Sequence, residues 1–182
     1  MKQRGFGMIE VLVSMLLIAL GILGMVALQS RSIAFTQDAV QRNRAIALAA
    51  DLTEIIRANP GELLVAAANS DYPFYGDFKS TSMFYKESGK DFDPAPGACP
   101  ALATTTAEQL ACWRAEAIAA LPGGEELFEA HTYVCRSATR GNCDGKGSVL
   151  EIQLAWQVKP GDCPDTRAPD DTTCIYRTRV EL

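Results

Sequence analysis

Glu10 stands as a lone carboxylate at the start of a long apolar run, and it gives the clearest chemical signal in this chain. An ionised group beside hydrocarbon costs several kcal/mol unless another group compensates its charge, so such a residue marks a functional position. Lys2, Arg4 and Gly5 precede it as a short basic leader. A secretory signal peptide places its apolar core before the cleavage site. Here a cut after Gly5 would remove the basic residues and leave the apolar segment on the mature protein.

The apolar run from residue 11 to residue 28 is interrupted by one polar residue, Ser14. About 18 residues form ~27 Å of helix, close to the ~30 Å thickness of a bilayer core. Lys2 and Arg4 precede the run and the next basic residue is Arg31, so the positive-inside tendency predicts a cytoplasmic N-terminus. By itself, the run fits an ordinary single-pass anchor equally well.

The leader resembles the class III leader of type IV prepilins and type II secretion pseudopilins. The residues that carry the resemblance are Arg4-Gly5-Phe6-Gly7-Met8-Ile9-Glu10-Val11-Leu12-Val13. A cut after Gly5 makes Phe6 the first mature residue and Glu10 the fifth, which is the family pattern, whereas a cut after Gly7 would place the acid third. The resemblance implies that prepilin peptidase cleaves after Gly5 and methylates Phe6, and that Glu10 recruits the subunit into a filament.

Two further stretches, residues 18–29 and 51–60, resemble minor pilins of the PilV type, which prime filament assembly rather than form its bulk. Major pilins usually carry a proline partway along the first helix, but the first proline here is Pro60. The resemblance implies adhesion and twitching motility as functions. We expect no cofactor. It implies other minor pilins, the pilus assembly platform and prepilin peptidase as partners. The expected location is the bacterial inner membrane, with a periplasmic head, and then the pilus base or tip.

The elements that must position Glu10 begin with one long helix. Apolar residues recur at three-, four- and seven-residue steps as far as Ile56, and Asn59-Pro60-Gly61 is a strong helix stop. We therefore expect a leader at 1–5, a helix at 6–58 of which 6–28 lies in the membrane, and a head at 59–182. The fold class is α+β: a type IV pilin-like ladle whose helix packs on an antiparallel sheet.

The head is predicted to contain a second, short helix and three strands. The helix covers residues 105–121, and the strands cover 131–136, 148–159 and 173–182. Alternation in the middle strand predicts one buried face. Whether a fourth strand precedes His131 is left open. The aromatic residues between 62 and 88 are read as core rather than as a binding surface; they are Tyr72, Phe74, Tyr75, Phe78, Phe84 and Tyr85.

All six cysteines lie in the predicted head, a distribution that fits an oxidising compartment. They are Cys99, Cys112, Cys135, Cys143, Cys163 and Cys174. Six cysteines allow fifteen pairings. The preferred set joins sequence neighbours, because each bridge would then close a turn-rich segment between regular elements: Cys99 with Cys112, Cys135 with Cys143, and Cys163 with Cys174.

Composition excludes several classes of function. The net charge of −5 and pI of about 4.9 argue against a nucleic-acid surface. His131 lacks a nucleophile in a recognised motif, and no cysteine pair has zinc-knuckle spacing, so we expect no enzyme and no metal site. A crowded acidic loop could hold calcium but does not match an EF-hand, and a solvated loop is preferred. Its carboxylates are Asp162, Asp165, Asp170 and Asp171.

Two alternatives to a minor pilin stay open. A minor pseudopilin of a type II secretion system would share the leader and the assembly mechanism. A membrane-anchored periplasmic binding or receptor head would keep the anchor but would need a cluster of polar residues converging in a pocket.

Overall fold

The computed structural model describes residues 7–66, 75–163 and 165–182. The fold class is α+β: a long N-terminal helix is followed by shorter helices and antiparallel sheets. The chain divides into two compact units, Met1–Ala39 and Val40–Leu182. The first unit is helical from Met8 onward. The second contains the rest of that helix and all other elements, and we call it the head unit.

The long helix, α1, spans Met8–Ala58. Its end follows from local chemistry, because Asn59 precedes Pro60 and a helix rarely continues through the residue before a proline. The Asn59 side chain donates to the carbonyl of Ile55 at 2.8 Å and so satisfies one of the unpaired carbonyls of the last turn. A single turn, α2 (Pro60–Leu63), follows directly.

Within the head unit, one face of α1 is buried in the core. Its buried residues recur at three- and four-residue steps, which place them on one side of the helix. They are Ala45, Leu48, Ala49, Leu52 and Ile56. Trp113 contributes both packing and a polar link, since its indole N–H donates to the carbonyl of Leu48 at 2.8 Å.

The main sheet has three antiparallel strands in the order β3-β4-β5, where β3 is Tyr133–Arg136, β4 is Leu150–Gln157 and β5 is Thr173–Val180. Its register pairs Tyr133 with Gln153 and Leu150 with Val180. The three strands predicted from the sequence are confirmed. The prediction that β4 has a single buried face is wrong, because seven of its eight residues are buried. Its polar side chains are satisfied by a network described below.

Two more helices complete the head unit: α4 (Gly124–His131) contacts β4, and α3 (Thr106–Ala120) contacts α4. The sequence predicted α3, whose N-terminus carries a capping box between Thr105 and Glu108. It did not predict α4, which occupies the place considered for a fourth strand. Gly123 adopts φ 109°, in the left-handed region, and serves as the N-cap of α4. The Pro-Gly-Gly sequence is therefore a turn between two helices.

A small second sheet was also not predicted: β1 (Leu64–Ala66) pairs antiparallel with β2 (Tyr75–Phe78). The core interpretation of the aromatic segment is confirmed at Phe84, which has no exposed surface, and at Phe78, which is 9% exposed. Tyr85 is half-buried and Tyr75 is exposed. Tyr72 and Phe74 lie outside the described residues.

Disulfide bonds join Cys99 to Cys112, Cys135 to Cys143 and Cys163 to Cys174. These are the neighbouring pairs that the sequence favours. Each bridge closes a short loop, with sequence separations of 13, 8 and 11 residues. Each therefore restricts one turn-rich segment of the head.

Non-reducing peptide mapping of the purified chain is expected to recover these three linkages. Replacing Cys99 and Cys112 together with serine should lower the free energy of unfolding by about 3 kcal/mol, because the unfolded chain regains the entropy of an open loop. Urea denaturation of both proteins measures the difference. A peptide that links Cys112 to Cys135 would contradict the pairing.

Candidate functional site

The N-terminal part of α1 is long and apolar enough to cross a membrane. The segment Met8–Gln29 has 22 residues and a mean hydropathy of 2.8, and none of it is buried. In water such a surface would be strongly unfavourable, since every apolar side chain along it is exposed. Length and composition therefore fit membrane anchoring.

Glu10 lies in the first turn of α1, with its side chain exposed. Its amide donates to the carbonyl of Gly7 at 2.9 Å, and the hydroxyl of Ser14 donates to its carbonyl at 2.6 Å. Ser14 is thus satisfied by the backbone of its own helix. Among the described residues, no side chain forms a hydrogen bond or ion pair with the Glu10 carboxylate. Gly5 and Phe6, the predicted processing residues, lie outside the described residues.

The head unit contains a buried charge network that the sequence did not predict. Glu151, in the middle of β4, has no exposed surface. Its carboxylate accepts hydrogen bonds from the Tyr133 hydroxyl at 2.7 Å and from the Gly141 amide at 2.8 and 3.0 Å. Two guanidinium groups approach it, with Nε of Arg177 at 3.5 Å and Nε of Arg179 at 3.7 Å.

This network holds a disulfide-closed loop against the outer face of the sheet. Gly141 belongs to the loop between Cys135 and Cys143, and Arg179 donates to the carbonyls of Ser137 and Ala138 at 2.9 and 3.2 Å. Burial and the bond to Glu151 raise the pKa of Tyr133. The network explains why both faces of β4 are buried.

Lys86 is the second buried charge, with 1% of its surface exposed. Its ammonium donates to the carbonyls of Thr132 at 2.7 Å, Glu129 at 3.0 Å and Glu87 at 3.3 Å, and lies 5.2 Å from the centre of the Phe128 ring. Burial lowers the pKa of Lys86 to about 8, while Asp91 and Glu129 act in the opposite direction. The side chain ties the 84–87 segment to α4.

The low pKa of Lys86 predicts that head stability rises with pH above about 8. The unfolded chain, with a lysine pKa near 10.5, binds more protons than the folded chain between these values. Unfolding free energy should therefore increase by roughly 1–2 kcal/mol between pH 7 and pH 9.5. Urea titrations over this range measure it, and Lys86→Met should lack the increase. An equal rise in that variant would assign the effect to another group.

The acidic loop is built as a set of local turns. The carboxylate of Asp165 binds the Arg167 guanidinium at 2.7 and 2.9 Å, and this bond lowers the pKa of Asp165 to about 2. Asp170 accepts from the amide and the hydroxyl of Thr172, both at 2.8 Å. In the part of the chain that the structure describes, no group of three metal-binding side chains converges.

His131 ends α4, and its backbone carbonyl accepts a hydrogen bond from the Gln153 side chain at 2.8 Å. His131 therefore contributes to the fold through its backbone carbonyl. The glutamine in turn accepts from Arg177 at 2.6 and 3.0 Å. Gln153 in β4 therefore links the end of α4 to Arg177 in β5.

Sequence patterns contained partial signals for these buried charges. Glu151 occupies the position in β4 that alternation assigns to solvent, and Arg177 and Arg179 repeat at two-residue spacing in β5. Only the register, which pairs Glu151 with both Cys135 and Arg179, brings them together. No sequence pattern predicted that Lys86 would be buried, because its hydrogen-bond acceptors are backbone carbonyls.

Comparison with known protein families gives two matches. Residues 1–26 match the model described as the prokaryotic N-terminal methylation motif. Residues 27–115 match the model described as type IV pilin Tt1218. No curated protein and no solved structure matches the chain. The two family matches together span residues 1–115 and identify the chain as a type IV pilin-like protein with an N-terminal methylation motif.

Proposed function

We propose that this protein is a minor pilin that primes type IV pilus assembly and thereby supports adhesion and twitching motility. The observation that carries the proposal is the exposed apolar segment Met8–Gln29 with Glu10 in its first turn, inside the methylation motif. Two features of the sequence favour a low-copy subunit over a bulk one. They are the PilV-like stretches at residues 18–29 and 51–60 and the absence of a proline before Pro60.

In this proposal, prepilin peptidase removes the leader 1–5 after Gly5 and methylates the new amino group of Phe6. The ammonium of one subunit and the Glu10 carboxylate of its neighbour then compensate each other. Neither charge tolerates isolation near hydrocarbon, whereas a pair with complementary geometry offsets the desolvation of both. Assembly therefore depends on processing, which creates the amino group of Phe6.

The proposed location follows from the same segment. Lys2 and Arg4 keep the N-terminus in the cytoplasm, the helix crosses the bacterial inner membrane once, and the head lies in the periplasm. Three disulfides support an oxidising compartment for the head. The partners are other minor pilins and the assembly platform, and the final position is the pilus base or tip.

Mass analysis of the mature N-terminus tests the proposal. We expect the chain to begin with methylated Phe6, and an intact Met1 would remove the main support. A variant Gly5→Leu should stay unprocessed and serves as the control for peptidase dependence. Deleting the gene should reduce piliation, and lost protein secretion with intact pili would favour a pseudopilin instead.

A further inference from the structure

The head unit contains a half-open pocket of about 290 Å³ between α4 and the end of β4. It is lined by Gly123, Glu126, Leu127, Ala130, His131 and Gln157. Two pairs of these residues lie one helical turn apart on α4: Leu127 with His131, and Glu126 with Ala130. Leu127 and His131 are half-buried, whereas Glu126 is exposed, so its carboxylate stands at the rim.

The backbone on both sides of the pocket is held by hydrogen bonds. The amide of Gln157 donates to the carbonyl of Pro122 at 2.7 Å, which joins the end of β4 to the turn before α4. The carbonyl of His131 accepts from the Gln153 side chain at 2.8 Å, which fixes the end of α4 on the sheet. The pocket is thus formed before any ligand binds, which lowers the entropic cost of binding.

Three polar side chains of the pocket have no partner within the described residues. The carboxylate of Glu126, the imidazole of His131 and the carboxamide of Gln157 form no hydrogen bond or ion pair there. Each of these groups can accept a hydrogen bond, the first and last through oxygen and a neutral imidazole through one nitrogen. The pocket therefore offers a donor-rich ligand acceptors from both α4 and β4.

The pocket and the helix beside it carry an excess of negative charge. Among the described residues that line the pocket, Glu126 is the one carboxylate, and there is no lysine or arginine. Glu125 and Glu129 of α4 share a single cation, Arg114, at 2.6 and 3.8 Å, and Asp91 binds the same guanidinium at 2.7 Å. The surface is therefore complementary to a cation.

The size and lining of the pocket favour a single long side chain over other ligands. Small-molecule sites measure roughly 300–1,000 Å³ and are lined mainly by apolar and aromatic side chains, whereas only Leu127 and Ala130 supply apolar side chains here. In the described part of the chain, no three metal-binding side chains converge, as a metal site would require. A side chain with an apolar stem and a charged end fits this lining.

We propose that this pocket binds a basic side chain, lysine or arginine, of a neighbouring pilin subunit. The alkyl stem packs on Leu127 and Ala130, while the cationic end donates to Glu126. The side chains of His131 and Gln157 supply two further acceptors. This inference rests on the proposed function, because it requires that the protein assembles with other subunits. It adds a contact between heads to the assembly contact of Glu10.

Proton NMR of the untagged full chain in detergent micelles tests the chemistry of the pocket. His131 is the only histidine in the sequence, so its ring protons give a unique signal. Nα-acetyl-arginine methylamide and Nα-acetyl-lysine methylamide should shift this signal to saturation in the millimolar range, whereas Nα-acetyl-glutamate methylamide at equal ionic strength should not. No shift with either basic probe, or an equal shift with the acidic one, would overturn the inference.

Three variants test which group recognises the cation. Glu126→Gln removes the charge at nearly constant size and should weaken binding of the basic probes by roughly tenfold. Gln157→Glu adds a second carboxylate and should strengthen it. Glu116→Gln, at an exposed glutamate outside the pocket lining, is the matched control and should leave the affinity unchanged. Unchanged affinity in Glu126→Gln would refute recognition by this carboxylate.

Incorporation into pili tests whether a neighbouring subunit supplies the basic side chain. Glu126→Arg places a cation against the proposed ligand and should lower the amount of protein in sheared pili severalfold, whereas Glu116→Arg should not. Membrane levels in the same cells control for folding. Normal incorporation of Glu126→Arg would overturn the neighbouring subunit as the source, even where the free probes bind. Absence of the unchanged protein from pili would instead reject the proposed function, and the NMR titration would then decide the pocket chemistry alone.

Discussion

Glu10→Ala is expected to remove the protein from filaments while leaving it in the membrane. The methylated amino group of a neighbouring subunit would then lose its counter-charge in an apolar environment, at a cost of several kcal/mol. Since each 1.4 kcal/mol corresponds to about a tenfold change, incorporation should fall by more than tenfold. Immunoblots of sheared pili and of membranes from the same cells measure both quantities.

Two variants separate charge from structure at this position. Glu10→Asp keeps the carboxylate and should retain part of the incorporation. Ser14→Ala removes a hydroxyl that bonds only to the backbone carbonyl of Glu10 within the described residues, and it should leave incorporation unchanged. Membrane levels should match in all variants, because the segment Met8–Gln29 keeps its apolar character. Normal incorporation of Glu10→Ala would refute the proposed pairing.

Glu151→Ala is expected to destabilise the head by about 3–5 kcal/mol, because two partly buried guanidinium groups lose their shared carboxylate. The amide of Gly141 and the hydroxyl of Tyr133 lose their acceptor at the same time. Domain stability is typically about 5–15 kcal/mol, so the loss is a large part of it. The loop between Cys135 and Cys143 should detach from the sheet first.

Urea denaturation followed by tryptophan fluorescence measures this loss. Trp113 and Trp156 are both buried in the head, so the signal reports on that unit. Glu151→Gln keeps an acceptor for both donors and should lose less stability than the alanine variant. Glu116→Ala, at an exposed glutamate, is the matched control and should change stability by less than about 0.5 kcal/mol. A small effect at Glu151 would show that solvent replaces the carboxylate.

The three main strands and α3 were predictable because their patterns are local. Residues 106–120 repeat apolar side chains at helical spacing, and Thr105 with Glu108 forms a capping box that the sequence displays. The helix α4 was missed because Pro122-Gly123-Gly124 resembles a simple helix stop, and only the left-handed backbone at Gly123 turns the chain into a second helix. The short strands β1 and β2 lacked any strong alternation.

The absence of a catalytic motif led us to expect no enzyme, and the type IV pilin family is structural, not enzymatic. The apolar segment that is long enough to cross a membrane could likewise be predicted from the sequence alone. The charges and the hydropathy of the first 29 residues are enough to predict a leader, a carboxylate after it and a membrane-spanning segment. Each of these features is formed by residues that are neighbours in the chain.

The sequence by itself therefore determined the N-terminal methylation motif and the apolar segment of this protein, because both depend only on the order of residues along the chain. The roles that we propose for Gly5, Phe6 and Glu10 depend on the same order. The tertiary structure decided how the head satisfies its buried charges and where it forms a pocket. Glu151 meets Arg179 only through strand register, and Lys86 meets the carbonyls of α4 only through packing. Such contacts join residues far apart in sequence, and no local pattern encodes them.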